Sequence, residues 1–559
     1  MRKLRPETFT KPKSTPAAVP TPVANNAPYR WGSALRSVTF RLVTFVVILA
    51  SPFLIVTLGL KVKAAYGPYW GPGIVDPSYG YLFGSIAFNE GRNSTCCFHP
   101  GTLVQVNGSL VISLVHKIIG TDPLPIDFFR KIEVYGALIG FETLMLYALA
   151  LVSAGWAAYS ISGWLAMAPL VQLPALLSVE IFEAAARISP ELWVLALATA
   201  FVTVLLLYVG QRGNDWVLAI LLGIIVGMGI SAKITFFPLL LAPLIVLSRW
   251  RLRTAYALAA VAGFLVIALP HWTTITATIE FVRALATHKG PNGNGAPGSF
   301  DLHQQWNYLK YTVTNDVPLV AAVLLAIVTI IFYRGSTGIT SQRMVRCLLG
   351  FTAAAAVQVF MASKQPSPHY MLGSDAMIGM VVVFSLWLTR LRFPNSSNIL
   401  AGLFIALMLG ACFYWIGTID RGSASRSAIL ENGAGTLQLL ARKYPGYVMV
   451  AAPGAECEEC ALFLGNGFVN GAYSDQLRTA YPKAIFYHPE SRRFIRFGPV
   501  EITPAELLAM GPVIIRGNPI TDLKAFNLPN SLEVSKVGEL WGETLYRLTR
   551  KSDSDTPPR

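Results

Sequence analysis

Residues 76–102, DPSYGYLFGSIAFNEGRNSTCCFHPGT, decide how the rest of the chain is interpreted. They follow the first strongly apolar run, residues 38–60, and carry an acid at their head, two tyrosines, two adjacent cysteines and a His-Pro step. The apolar run is long enough to span a bilayer, since a transmembrane helix needs about 20 apolar residues. Polar residues this dense beside a first membrane helix predict a site at the membrane surface.

The composition predicts a polytopic membrane protein. Of 559 residues, 53% are hydrophobic and 13% are charged, whereas a soluble domain has about 25% charged residues. The net charge of +15 lies largely in short clusters between apolar runs. Such clusters follow the positive-inside rule and report topology, so we expect no nucleic-acid partner. The clusters lie at residues 2–13, 249–253, 334–346 and 390–392.

The apolar runs predict about 11 transmembrane helices. They cover residues 38–60, 134–156, 158–177, 192–209, 216–230, 235–247, 255–269, 318–332, 345–361, 371–388 and 399–416. Residues 102–120 are also apolar but contain Gln105, Asn107, His116 and Lys117, and we expect them to lie in the membrane interface. Counting them as a span would move every later basic loop to the other side.

The domain prediction follows from these runs. Residues 1–37 form a disordered, basic cytoplasmic tail, and residues 38–417 form the transmembrane domain, with outer loops 61–133 and 271–317. Residues 418–559 form a small α/β domain, because GYVMVAAPG, GPVIIRG and ETLYRLTR are typical of strands and TPAELLAM is typical of a helix. The N-terminus is then cytoplasmic and the C-terminus extracytoplasmic.

Asp76 has two interpretations. The sequence DPSYGYLFGSIAF predicts a short amphipathic helix with Tyr79, Leu82, Phe83 and Ile86 on one face. Asp76 would cap it, or its carboxylate would do chemistry over the membrane surface.

The order of these features resembles the GT-C superfamily of membrane glycosyltransferases, closest to its protein O-mannosyltransferase and lipid A aminoarabinose transferase branch. The residues that carry the resemblance in the first loop are Asp76, Tyr79, His99 and Pro100. The sequence departs from the family at Pro77, where an acid is common, and at Gly101, where a second proline is common.

Three later segments extend the resemblance. SVEIFEAAARISPELWVLAL has the acid of the second outer loop, matched by Glu191, with Glu180 and Glu183 as rivals. GIIVGMGISAKITFFPLLLAPLIVL has Lys233 at a break in a helix. SKQPSPHYML has the family's cation before a His-Tyr-Leu helix start, with residues Lys364, His369 and Tyr370.

The resemblance implies an inverting glycosyltransferase of the hexosyl or pentosyl kind with a polyprenyl-phosphate sugar donor. Asp76 and Glu191 are the predicted catalytic acids, because a carboxylate can take the proton of the acceptor hydroxyl. The leaving phosphate needs cations. The predicted substrate-binding residues are Tyr79, His99, Arg130, Lys233, Lys364, His369 and Tyr370.

The partners implied are the lipid bilayer, the lipid-linked donor and a glycan, lipid or protein acceptor, in a bacterial inner membrane and cell envelope. No cofactor is certain, and a divalent metal ion is an open alternative. The rival function is a transporter or flippase of lipid-linked saccharides, which would use charges buried at mid-span and repeat symmetry. No repeat is present.

The six cysteines add a smaller prediction. One CxxC, at Cys457 and Cys460, supplies two of the four ligands of a structural zinc site, so a disulfide is favoured. Its pairing with Cys96 and Cys97 is open. Cys347 and Cys412 lie in apolar runs and predict packing residues.

Overall fold

The computed structural model describes residues 38–71, 78–92, 101–269, 275–290, 293–298, 301–364, 366–452, 456–488, 491–498, 500–517, 528 and 531–551. Contacts divide the chain into two units, Met1–Val46 and Val47–Arg559. Only the start of the first helix is described in the first unit. The site and the sheet belong to the second unit.

The chain forms 21 α-helices within the described ranges. They are α1 (Val38–Tyr66), α2 (Ser78–Asn89), α3 (Thr102–Ile119), α4 (Leu124–Arg130), α5 (Ile132–Ser162), α6 (Met167–Gln172), α7 (Val179–Ala185), α8 (Pro190–Val209), α9 (Asp215–Ala232), α10 (Leu241–Val246), α11 (Trp250–Ala268), α12 (Ile275–Thr287), α13 (Leu302–Asn315), α14 (Val317–Tyr333), α15 (Ile339–Ala362), α16 (Leu372–Asp375), α17 (Ile378–Arg392), α18 (Pro394–Lys443), α19 (Glu458–Gly467), α20 (Ser474–Ala480) and α21 (Pro504–Ala509).

Nine helices among the described residues are long and apolar enough to cross a membrane, or up to 11 if each of two bent helix pairs is one span. The predicted fold class, a polytopic helical membrane protein with a small C-terminal sheet domain, is confirmed. The nine include α3. Length and composition do not distinguish a spanning helix from an interfacial one, so the interfacial position of α3 stays a prediction.

The second predicted span is longer than the sequence indicated. A break was expected at residue 157, but α5 continues to Ser162. The helix ends at Gly163, which has a φ of 64°, a left-handed conformation that glycine adopts without strain. The predicted span 158–177 was therefore wrong in its first part, and its second part forms the short helix α6 and a 3₁₀ turn.

The predicted span at 235–247 is interrupted. Residues Ile234–Leu240 form a 3₁₀ helix and α10 follows. Pro238 and Pro243 explain this, because each proline lacks the N–H that a continuous α-helix would use. The 3₁₀ helix begins directly after Lys233, whose backbone is extended.

Helix α2 is buried all round and not on one face as its pattern predicted. Its residues from Ser78 to Ala87 are all buried, because α3 covers one side and α19 of the C-terminal part covers another. A Cβ at Gly465 of α19 would lie 2.5 Å from the ring of Phe83. Only glycine allows the two helices to approach so closely.

The C-terminal sheet has seven strands in the order β4-β3-β2-β1-β5-β7-β6. Strand β1 pairs in parallel with β2 and β5, and the other pairs are antiparallel. The strands are β1 (Val448–Ala451), β2 (Ile485–His488), β3 (Arg493–Arg496), β4 (Val500–Ile502), β5 (Val513–Gly517), β6 (Leu532–Leu540) and β7 (Glu543–Arg550).

This sheet region is packed against the helical region. Tyr481 donates a hydrogen bond to the backbone oxygen of Phe129 at 3.0 Å. The ring of Tyr473 lies 5.2 Å from the ring of Phe129, and both belong to one buried apolar cluster that extends through the membrane helices. The two regions therefore share a core.

A tight hairpin makes a further contact. Trp541 and Gly542 connect β6 to β7, and both have positive φ, 54° and 84°, as two-residue hairpin loops require. The Trp541 ring lies 5.6 Å from that of Trp70, which follows α1. A Cβ at Gly433 of α18 would overlap the Trp541 indole. The hairpin tip is thus held between the first loop and α18.

Helix α18 is continuous for 50 residues and passes the predicted domain boundary at residue 418 without interruption. Cys457 and Cys460 are disulfide-bonded to each other at the start of α19, so the predicted disulfide closes within the CxxC. Cys347 and Cys412 are buried free cysteines. Cys96 and Cys97 lie outside the described residues.

Candidate active site

Four of the predicted site residues meet at one end of the helices. Glu191 is the second residue of α8, Lys233 follows the last residue of α9, and His369 and Tyr370 lie in a 3₁₀ turn, Pro368–Met371, before α16. The Lys233 ammonium donates to the Glu191 carboxylate in a buried ion pair. The His369 Nε2 atom is 4.0 Å from Glu191 Oε1.

Local sequence places Glu191 there. Ser189 is extended at the N-cap of α8, and Pro190 occupies the first helical position, where its missing N–H and fixed φ suit a helix start. Glu191 then lies in the first turn, where the helix dipole favours a negative charge. Its Oε2 atom is buried and has no hydrogen-bond partner in the part of the chain that the structure describes.

Lys233 is positioned by the break in its helix. The residue is extended, with φ −157° and ψ 136°, and its N–H bonds to the Gly229 oxygen, which closes α9. The side chain lies inside the protein, 5% exposed, with its Nζ 4.8 Å from the centre of the Tyr370 ring. A lysine ammonium has three N–H donors, and Glu191 uses one of them.

The His369–Tyr370 turn is fixed from two sides. The Ser367 Oγ atom is 2.7 Å from His369 Nδ1, and Gln358 donates to the Tyr370 oxygen at 2.6 Å. The two rings lie 4.3 Å apart, edge to face. The turn therefore holds the imidazole Nε2 toward Glu191.

Three other predicted substrate-binding residues have other partners. Tyr79 donates to Glu133 at 2.8 Å, and burial followed by the nearby Glu133 charge raises the pKa of its phenol. Arg130 donates to Asp122 at 2.9 Å. Lys364 donates to the backbone oxygens of Leu285 and His288 at the end of α12, and partial burial lowers the pKa of its ammonium.

Asp76 and His99 lie outside the described residues, so their roles stay predictions. The rival acid Glu183 accepts from the Tyr66 hydroxyl at 3.0 Å and is paired with Arg187 at 3.4 Å. Within the described ranges, no group of three or more His, Cys, Asp or Glu side chains is arranged to hold a metal ion.

Sequence reasoning missed Arg187, Ser189 and Trp193. Arg187 and Ser189 lie on the turn between α7 and α8, Trp193 lies in the first turn of α8, and all three line one small cavity. No local signal marked them, because the sequence places Arg187 in the second outer loop and the cavity is formed by helices far apart in the chain.

The fold and the cluster define a multi-pass membrane protein with a buried ionic site at one end of its helices. It is similar to ArnT from Cupriavidus metallidurans, in a crystal structure bound to undecaprenyl phosphate, with a TM-score of 0.49 and 13% identity over 91% of this chain and 98% of that chain. The apo-state structure of the same ArnT has a TM-score of 0.49 and 14% identity over 89% and 97%. No family model and no curated protein matches the sequence.

At such low identity we transfer no residue role from ArnT to this chain.

Proposed function

We propose that the protein is a GT-C-type glycosyltransferase that moves a sugar from a polyprenyl-phosphate donor to an acceptor hydroxyl, with inversion. The observation that carries the proposal is the Glu191–Lys233–His369 cluster. The pair is buried, Glu191 Oε2 bonds to no residue that the structure describes, and an imidazole lies 4.0 Å from the carboxylate. An ammonium, a carboxylate oxygen and an imidazole in this arrangement suit the recognition of a phosphate and a hydroxyl.

The chemistry assigns a role to each group. The acceptor oxygen bonds to the anomeric carbon as the bond from that carbon to the phosphate oxygen breaks. The proton of the acceptor passes to Asp76 as general base. The phosphate gains negative charge as it leaves, and Lys233 and His369 stabilise that charge. Glu191 holds Lys233 in place, and a single displacement inverts the anomeric centre.

The test is turnover with radiolabelled polyprenyl-phosphate sugars, hexosyl and pentosyl, at matched expression. We expect Asp76→Asn to lower turnover by about 100-fold to 10,000-fold, the usual range for losing a general base. Glu191→Gln should also lower turnover, because it removes the carboxylate charge that holds Lys233 in place. Asn caps helices about as well as Asp, so a mere cap at Asp76 would leave turnover near normal. In that case the base has to be sought among Glu90, Glu180, Glu183 and Glu191.

If the protein is a flippase, the same membranes should show lipid transport that does not depend on Asp76. It would move the lipid-linked sugar across the bilayer with no acceptor present, and Asp76→Asn would move it as well as the wild type does. Transfer of label to a glycan, lipid or protein acceptor would rule out the flippase as the whole function.

We propose that the cluster faces the extracytoplasmic side. The short run after Lys233 leads away from the cluster to the basic residues 249–253, which the positive-inside rule assigns to the cytoplasm. A thiol introduced at Asp475, whose side chain is 81% exposed, should react with an impermeant reagent added outside intact cells. A thiol at Ser248 should not. The reverse pattern would refute this orientation.

A further inference from the structure

A small cavity adjoins the ion pair without belonging to it. It lies between α3, α5 and the α7–α8 turn and has about 220 Å3 of empty space, including its open mouth. Its polar lining comes from Thr143, Arg187, Ser189 and Trp193. The enclosed part admits one group of about the size of a water molecule.

Two hydrogen-bond donors of this lining are unused. Arg187 Nε and Trp193 Nε1 are buried, and neither bonds to any residue that the structure describes. Trp193 is 7% exposed. A buried N–H without an acceptor costs about as much free energy as a lost hydrogen bond, so an oxygen bound in this cavity would be stabilised by two donors.

The charges around the cavity favour a neutral group. Arg187 is already paired with Glu183 at 3.4 Å, and the Glu180 carboxylate lies within electrostatic reach of the same guanidinium. A phosphate dianion placed here would meet two carboxylates. A hydroxyl group would accept from the indole or guanidinium N–H and donate to the hydroxyl oxygen of Ser189 or Thr143.

The position of the cavity connects it to the ion pair. Ser189 lines the cavity, and its hydroxyl also reaches the Glu191 carboxylate two residues later. A group bound in the cavity is therefore connected to Lys233 through two side chains, those of Ser189 and Glu191. The cavity and the proposed phosphate-binding cations adjoin the same carboxylate.

We propose that the cavity lined by Arg187, Ser189 and Trp193 is a subsite for one hydroxyl group of the transferred sugar. This inference rests on the proposed function and extends it, because it assigns recognition of the sugar to residues other than those that hold the phosphate. The ligand class is a polyprenyl-phosphate sugar with a free ring hydroxyl that reaches the α7–α8 turn.

The test is binding to purified protein, with undecaprenyl phosphate and its mannosyl, glucosyl and arabinosyl derivatives as probes. We expect the wild type to bind at least one derivative about tenfold more tightly than bare undecaprenyl phosphate, the scale of one well-placed hydrogen bond. Trp193→Phe should abolish this preference and leave binding of the bare lipid unchanged. Trp156→Phe, at a lipid-facing tryptophan of α5 that is 58% exposed, is the matched control and should behave as wild type.

Monodeoxy sugars identify the hydroxyl. The sugar analogue that lacks the recognised hydroxyl should bind wild type no more tightly than bare undecaprenyl phosphate does. The Trp193→Phe variant should bind this analogue and the complete sugar derivative equally well. If Trp193→Phe does not fold, Arg187→Lys gives the same test, since lysine keeps the charge opposite Glu183 and lacks the Nε–H group.

Each outcome decides between the proposals. An unchanged preference in Trp193→Phe and Arg187→Lys overturns the subsite, and the cavity then holds water. Bare-lipid binding that persists in those variants leaves the proposed function standing. Failure of the wild type to bind even bare undecaprenyl phosphate overturns the proposed function, and the subsite with it.

Discussion

Two buried ion pairs in this molecule differ in how completely they are satisfied. Arg516 and Glu543 in the sheet have side chains 5% and 4% exposed, and Lys233 and Glu191 in the membrane domain are both 7% exposed. Both oxygens of Glu543 accept, one from Arg516 and one from the Glu456 N–H. Glu191 Oε2 accepts from no residue that is described.

The arginine has further partners. Arg516 donates through Nη2 to the Glu456 oxygen and lies over the Trp541 ring, 4.7 Å from its centre. A buried ion pair whose two charged groups are bound by several protein groups holds a structure together. One that keeps spare donors and acceptors is ready for a ligand, and this difference separates the site from the scaffold.

We expect the largest difference in sugar transfer when both members of one ion pair are replaced by apolar residues and the two double variants are compared. We expect Glu191→Leu with Lys233→Met to lower transfer at least 100-fold while the protein folds, because apolar pairs often replace buried ion pairs without loss of stability. Arg516→Met with Glu543→Leu should leave transfer per folded molecule unchanged. Thermal unfolding and turnover on the same preparations measure both.

Variants that lack only one member of a pair test how much stability is lost when a buried charge has no partner. Lys233→Met and Arg516→Met should each destabilise the protein by about 3–5 kcal/mol, because each leaves a buried carboxylate without its partner. Full turnover in the Glu191→Leu, Lys233→Met double variant would show that its pair is scaffold like the other.

Asp127 provides a third, fully satisfied carboxylate. It is 0% exposed, and it accepts from Lys131 at 2.7 Å and from Tyr135 at 2.6 Å. Burial alone would raise the pKa of this carboxyl, but hydrogen bonds from Lys131, Tyr135 and Thr121 outweigh burial and hold the pKa well below its usual range.

Asp127→Asn should therefore cost stability in a pH-dependent way. The depressed pKa means that the stabilisation is complete above the unfolded pKa of about 3.9 and is lost as the pH falls through the lower folded pKa. We expect a loss of about 1–3 kcal/mol at neutral pH that shrinks in acid. A difference between wild type and variant that stays constant from neutral pH to pH 3 would contradict this account.

Lys364 should give the smallest effect. Its ammonium bonds to two backbone oxygens and to no carboxylate of the cluster, so Lys364→Met should cost about 0.5–1.5 kcal/mol and speed hydrogen exchange near the end of α12. Lys310→Met, on the exposed face of α13, is the control. If Lys364→Met weakens binding of bare undecaprenyl phosphate as strongly as Lys233→Met does, Lys364 belongs to the phosphate site, as its sequence motif predicted.

The parts of the site that sequence predicted have local signals. Lys233 stands between two apolar runs that Pro238 and Pro243 shorten, and His369 and Tyr370 stand in a polar step before an apolar helix. The choice of Glu191 over Glu180 and Glu183 had no local signal, because it depends on contact with Lys233, 42 residues away. Arg187 and Trp193 depend in the same way on a cavity built by three separate helices.

The C-terminal sheet was also predicted only in part from the sequence. Strands β1, β5 and β7 were predicted because they are apolar or alternating, and β6 was missed because its exposed face carries charged residues such as Glu533 and Lys536. The sequence predicted that only one face of helix α2 is buried. Its other face is covered by α19, residues 458–467, and a local sequence pattern does not reveal such a distant contact.

The Trp541–Gly542 hairpin also determines how late in synthesis one contact of the first outer loop can form. Its tip packs on Trp70, which lies just after α1, so one of the earliest extramembrane positions waits for a contact supplied about 470 residues later in synthesis. Until β6 and β7 have been made, Trp70 lacks this ring contact. A nascent chain that stalls before residue 541 would thus expose Trp70 more than the finished chain does.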